Sequence, residues 1–107
     1  MKMRYVFLVN PVAGKGKGPE KLVPIIEEYF KGKDVEYKII ITSAPDDARI
    51  KAMNEAQKGD KVKIFACGGD GTFFEVLNGI YGYDNVEIGV IPCGSGNDFL
   101  RFFDNSE

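Results

Sequence analysis

Gly68-Gly69-Asp70-Gly71-Thr72 sets one carboxylate among three glycines. Directly before a helix, such a carboxylate can hold a phosphate-bound divalent ion or accept a proton from an attacking hydroxyl. A purely structural reading competes with this one. Thr72-Phe73-Phe74-Glu75 has capping-box spacing, so Thr72 and Glu75 can satisfy helix N–H groups while Asp70 favours the helix dipole. That reading leaves three glycines around an acid unexplained, and Asp70 is therefore the leading candidate for chemistry. A second group, Gly94-Ser95-Gly96-Asn97-Asp98, offers a hydroxyl, an amide and a carboxylate, each of which can equally cap a helix. In a third, Gly14-Lys15-Gly16-Lys17-Gly18, two cations can neutralise phosphate, although surface lysines are commonly just solvated.

These groups share one kind of position. Four short apolar segments, residues 5–9, 35–42, 62–66 and Val86–Ile91, are each followed by a small-residue turn and a stretch of helical character. Helices are expected over residues 20–30, from 43 to about 57, over 72–81 and from about 97. Pro24 must lie near the first turn of its helix or bend it. Ser43 is the expected cap of the second helix, with Asp46 and Asp47 complementing its dipole. Phe73, Phe74, Leu77 and Ile80 form a stripe expected to pack into the core. Strands alternating with helices force parallel pairing through right-handed crossovers, with helices on both faces. The expected fold class is an open, mostly parallel α/β sheet.

Glycine accounts for 13 of the 107 residues, above the usual share of about 7%. Eight of them, Gly14, Gly16, Gly18, Gly68, Gly69, Gly71, Gly94 and Gly96, fall in strand-to-helix turns. In a parallel sheet these turns share the edge beyond the carboxyl ends of the strands, where such folds bind ligands. Each following helix points unpaired N–H groups at that edge. A phosphate-bearing ligand is implied. Neither common phosphate fingerprint fits: residues 14–18 lack the Walker spacing, and Phe99 stands where a dinucleotide motif needs its third glycine.

Composition excludes other classes. Fourteen basic against sixteen acidic residues, net −2, provide no general positive field for nucleic acid. The absence of His removes Ser-His and Cys-His mechanisms and most transition-metal sites. Cys67 and Cys93, each at a strand end, read as small buried residues of a reduced, cytoplasmic protein. No apolar run approaches the ~20 residues of a membrane span, and the Met1-Lys2-Met3-Arg4 start leads into no signal sequence.

Asn10-Pro11-Val12-Ala13-Gly14-Lys15-Gly16, Gly68-Gly69-Asp70-Gly71-Thr72 and Gly94-Ser95-Gly96-Asn97-Asp98-Phe99 follow the first, third and fourth strands in order. Together they resemble the diacylglycerol kinase catalytic domain family, which includes bacterial lipid kinases and the sphingosine and ceramide kinases. The resemblance implies transfer of the γ-phosphoryl group of ATP, with Mg²⁺, to a lipid hydroxyl. It implies a nucleotide-binding domain similar to that of phosphofructokinases and NAD kinases, spanning residues 1–107. It also implies a β-rich C-terminal lipid domain outside this chain, since family members run to roughly 300 residues, about two domains. On its terms, Asn10, Pro11, Val12, Ala13, Gly14 and Lys15 line the ATP site, Thr42 contacts the nucleotide, and Gly68, Gly69, Asp70, Gly71, Thr72 and Glu75 cradle the phosphates. Ser95, where the family usually has Thr, then completes the site with Asn97 and Asp98. Phe74 departs from the pattern, standing where the family commonly has Asn. Peripheral membrane contact belongs to this reading of the full-length protein. Two alternatives are an NAD kinase, which shares Gly-Gly-Asp-Gly but not the Asn-Pro start, and a non-catalytic module that binds nucleotide or forms a homodimer through an open apolar face.

Overall fold

The computed structural model describes residues 3–11 and 18–91. The chain runs β1 (Arg4–Val9), α1 (Gly18–Phe30), β2 (Tyr37–Ile41), α2 (Asp47–Ala56), β3 (Val62–Cys67), α3 (Asp70–Ile80) and β4 (Val86–Ile91). All four strands are parallel, in the order β2-β1-β3-β4. Their carboxyl ends are flush, with Val9 opposite both Ile41 and Cys67, and Cys67 opposite Ile91.

Burial follows from this order. β1 and β3 are covered on both faces, which is why they read as unbroken apolar runs, whereas the outer strands β2 and β4 are only partly buried. On one face, Phe7 and Phe65 stack at 4.9 Å and pack with Leu22, Ile26 and Phe30 of α1. On the other, Val6, Leu8, Ile64 and Ala66 meet α2 and α3. Ala48, Ala52 and Ala56 give α2 a buried stripe of small residues, against which α3 sets Gly79. A Cβ there would clash with the Arg49 carbonyl and lie 3.1 Å from the Ala52 Cβ. Gly79→Ala is accordingly expected to destabilise the fold by about 1–3 kcal/mol, measured as a lower urea midpoint.

Several local expectations are corrected. α1 begins at Gly18, so Pro24 sits in its interior and not in its first turn. Pro24 and Glu20 are both exposed, so solvent can reach the Glu20 carbonyl that the proline cannot pair. Ser43 does not cap α2. The cap position is Asp46, in the left-handed region at φ 72°, and its side chain makes no cap bond. Ser43 instead donates its backbone N–H and its hydroxyl to Asp47 Oδ2, at 2.8 and 3.2 Å. Phe74 leaves the expected core stripe and is 60% exposed, while Phe73 and Ile80 do pack inward.

The amino-terminal edge of the sheet is tied by charge. Arg4, buried at the start of β1, meets Glu55 of α2 at 2.6 Å and clamps both Asp60 carboxylate oxygens at 2.7 and 2.9 Å. Lys38 and Lys58 also reach Glu55, at 3.0 and 3.2 Å.

Candidate functional site

The connection from β1 leads outward to β2, whereas the connection from β3 leads the other way, to β4. The turns after β1 and β3 therefore leave in opposite directions and open a crevice between them. Asn10 follows β1 and donates its N–H to the Cys67 carbonyl at 3.1 Å, while Gly68 follows β3 and donates to Ile91 at 3.2 Å. Thr42, buried at the end of β2, donates both its N–H and its hydroxyl to the Val9 carbonyl. These ladder extensions hold three strand-to-helix turns at one level.

A cavity of about 410 Å³ lies at this edge, bordered by Asn10, Pro11, Thr42, Ala48, Thr72 and Glu75 together with residues 43–45. Five residues singled out in the sequence thus converge on one hollow. Residues 44, 45 and Ala48 carry no sequence expectation, and Ser43 only that of a helix cap. Their signal was present, since the β2–α2 turn must reach the same edge as the other strand-to-helix turns, but it has no glycine to draw attention to it. Val12, Ala13, Gly14, Lys15, Cys93, Ser95, Asn97 and Asp98 lie outside the described residues.

Thr72 and Glu75 do not form the capping box that their spacing suggests. α3 begins at Asp70, with Gly69 at its cap and no side-chain cap bond. Thr72 turns inward, is buried, and accepts a hydrogen bond from Asn10 Nδ2 at 3.3 Å, linking the turns after β1 and β3. Glu75 Oε1 accepts the Ala48 N–H at 3.2 Å, so a carboxylate from α3 already sits on the amino end of α2. The first-turn amides of α3 have no intrahelical partner and no side-chain cap, and they remain suited to an anion.

The glycines divide by role. At Gly68 a Cβ would stand 2.7 Å from Thr72 Oγ1 and 3.3 Å from the Asn10 Cβ, so its smallness lets those residues meet. Gly69 and Gly71 face open space on either side of exposed Asp70, leaving the backbone open to approach. None of these three has positive φ.

The charge of the hollow limits what it can hold. No described lining residue is cationic, and Glu75 is anionic. Among the described residues, then, none that lines the hollow neutralises a polyphosphate at this edge, and Lys15 and Lys17 lie outside them. Among the described residues no cluster of three or more acidic, His or Cys side chains could hold a metal alone. A single exposed carboxylate, Asp70, fits Mg²⁺ held mainly by phosphate oxygens, the usual way proteins bind that ion.

An open parallel α/β sheet with a hollow at its topological switch point is the arrangement in which such folds bind ligands. The chain belongs to the diacylglycerol kinase catalytic domain family, whose model matches residues 4–107. It is 36% identical over 95 residues to a diacylglycerol kinase of Bacillus subtilis, covering 88% of this chain and 31% of that protein. It is 31% identical over 99 residues to sphingosine kinase 1 of Caenorhabditis elegans, covering 86% and 21%. The crystal structure of a diacylglycerol kinase from Bacillus anthracis superposes with a TM-score of 0.63 at 33% identity, over 92% of this chain and 35% of that one. The chain spans about a third or less of the length of the curated relatives it matches. Among the described residues, no helix is long and apolar enough to cross a membrane.

Proposed function

We propose that this chain is the nucleotide-binding domain of a lipid kinase that transfers the γ-phosphoryl group of ATP to a lipid hydroxyl. The observation that carries the reading is the convergence of Asn10 and Thr42, at the ends of β1 and β2, with Thr72 and Glu75 of α3 on one hollow beside the uncapped amino end of that helix. The hollow, neutral apart from Glu75, suits the nucleoside part, with Pro11 and Pro45 supplying apolar surface. The α3 amides and the open backbone at Gly69 and Gly71 suit the phosphates. Asp70 is the residue that would hold Mg²⁺, and the ion when bound would supply positive charge that the described lining residues do not. Asp70 then either anchors that ion or takes the proton of the acceptor hydroxyl. Ser95, Asn97, Asp98 and residues 12–15 complete the site, and the acceptor domain lies in the remainder of a longer protein. Its names among relatives, diacylglycerol kinase and sphingosine kinase, point to a glycerolipid or sphingoid acceptor.

Isothermal titration of the chain with ADP and Mg²⁺ tests the reading. Saturable binding is expected, weakened about tenfold or more by Asp70→Asn and dependent on Mg²⁺. Absence of binding at millimolar nucleotide overturns it.

A further inference from the structure

Two of the helix amino ends at the ligand edge are filled differently. At α2 the Asp47 N–H donates to the Ala44 carbonyl at 3.1 Å and the Ala48 N–H to Glu75 Oε1 at 3.2 Å. At α3 the first-turn amides meet no side-chain cap. An anion can therefore dock on α3, whereas at α2 it finds a carbonyl and a carboxylate already in place. Among the described residues that border the hollow, Glu75 alone is charged. Arg49, a cation within electrostatic reach of Glu75, is forked onto Asp46 by two bonds of 2.7 Å and does not border the cavity.

Hydrogen-bonding capacity points the same way. Oε1 of Glu75 is used by Ala48, while Oε2 accepts no bond among the described residues and is not sealed from solvent. The Thr42 hydroxyl donates its proton to the Val9 carbonyl at 3.4 Å, and the Ser43 hydroxyl donates to Asp47 Oδ2 at 3.2 Å. Towards a ligand both of these oxygens can then only accept. A hollow edged by three acceptors, one of them charged, favours a group rich in N–H and O–H donors. Phosphate, an acceptor with negative charge, is disfavoured there. We propose that Glu75 sets the direction in which a nucleotide lies, accepting a hydrogen bond from a donor group of the nucleoside and keeping the phosphates at α3. A sugar hydroxyl and the exocyclic amine of the base offer the same donor chemistry to Oε2. The proposal rests on the nucleotide reading above. It gives Glu75 a part different from the one the family resemblance implies, in which this residue helps to cradle the phosphates.

Glu75→Gln reverses the sense of this contact. The amide oxygen can still accept the Ala48 N–H, so the amide nitrogen takes the place of Oε2 and presents donors to the hollow. The test is isothermal titration of the full chain, wild type and variant, with ADP and with pyrophosphate at one Mg²⁺ concentration. ADP affinity should fall about tenfold in the variant through loss of a charge-assisted hydrogen bond, while pyrophosphate affinity does not fall. On the wild type, IDP, with a carbonyl in place of the amine, or 2′,3′-dideoxy-ADP should bind about threefold or more weakly than ADP. The analogue that loses affinity identifies the donor, and the comparison needs no variant to fold. Parallel loss of ADP and pyrophosphate affinity in Glu75→Gln would place the residue with the phosphates and overturn the proposal. Unchanged ADP affinity in the variant overturns it as well, as do two analogues that bind wild type as tightly as ADP. Absence of ADP binding to wild type rejects the nucleotide reading and this inference with it, whereas ADP binding without these differences rejects the inference alone.

Discussion

Arg4→Ala lowers the stability of the fold by about 3–5 kcal/mol, read from urea unfolding at neutral pH, because it leaves buried Glu55 without its closest partner. The buried guanidinium makes four charge-assisted bonds, a fork onto the Asp60 carboxylate and one bond each to the Glu55 carboxylate and backbone carbonyl. It joins β1 to α2 and to the loop before β3, segments more than fifty residues distant in sequence. Lys38 and Lys58 still face Glu55 in the variant, so some of the burial penalty stays compensated and the loss falls short of complete unfolding. Arg4→Lys recovers little, since an ammonium cannot make the fork.

The same cluster sets an acid limit. Burial pushes the Glu55 carboxyl up, but hydrogen bonds from Arg4, Lys38 and Lys58 outweigh it and hold the group below its ordinary value. The Arg4 hydrogen bond likewise holds Asp60 low. A carboxylate with a depressed folded-state pKa adds stability that is complete above its unfolded value and lost as pH falls through the folded one. Wild-type stability should therefore decline below about pH 4. Arg4→Ala should flatten that decline, because Asp60 then titrates nearly alike in both states.

Gly68→Val reduces ADP affinity by about tenfold or more, and its stability falls by about 1–3 kcal/mol. The new Cβ would stand 2.7 Å from Thr72 Oγ1 and 3.3 Å from the Asn10 Cβ, so one of them must move and the bond between them breaks. That bond fixes the spacing of the turns after β1 and β3, and both residues border the hollow. Gly71→Val provides the contrast. A Cβ at Gly71 meets nothing within 4 Å, so this variant should keep wild-type stability and lose affinity only through blocked approach to the α3 amides. Calorimetry and urea unfolding on both variants separate internal packing from ligand access. Equal ADP affinity in Gly68→Val and wild type would show that the turn spacing does not shape the site.

Much of this was legible in the residue order. The βα rhythm comes from periodicity within short windows, and Tyr5 to Val9 reads as a continuous buried run because burial on both faces demands an unbroken apolar sequence, although only the strand order makes β1 and β3 central. Helix starts were less legible. The spacing of Thr72 and Glu75 satisfies a capping box equally well whether or not the helix has already begun two residues earlier, and Ser43 met every local criterion for a cap that Asp46 occupies instead. Nor does local sequence explain glycines outside the strand-to-helix turns, where Gly79 permits α2 and α3 to touch and Gly89 accommodates the Phe65 ring, 2.7 Å from where its Cβ would be.

By itself, then, the sequence determined the alternation of strands and helices and the edge on which Asn10, Thr42 and Gly68 to Thr72 gather. These follow from spacing along the chain. Only the tertiary structure decided that Thr72 bonds Asn10, that Glu75 seals the end of α2, that Arg4 is buried against Glu55, and that Phe74 faces outward. Each of those outcomes depends on which group from a distant segment arrives within about 3 Å. Local spacing leaves that choice open, and the crossing of helices and strands makes it.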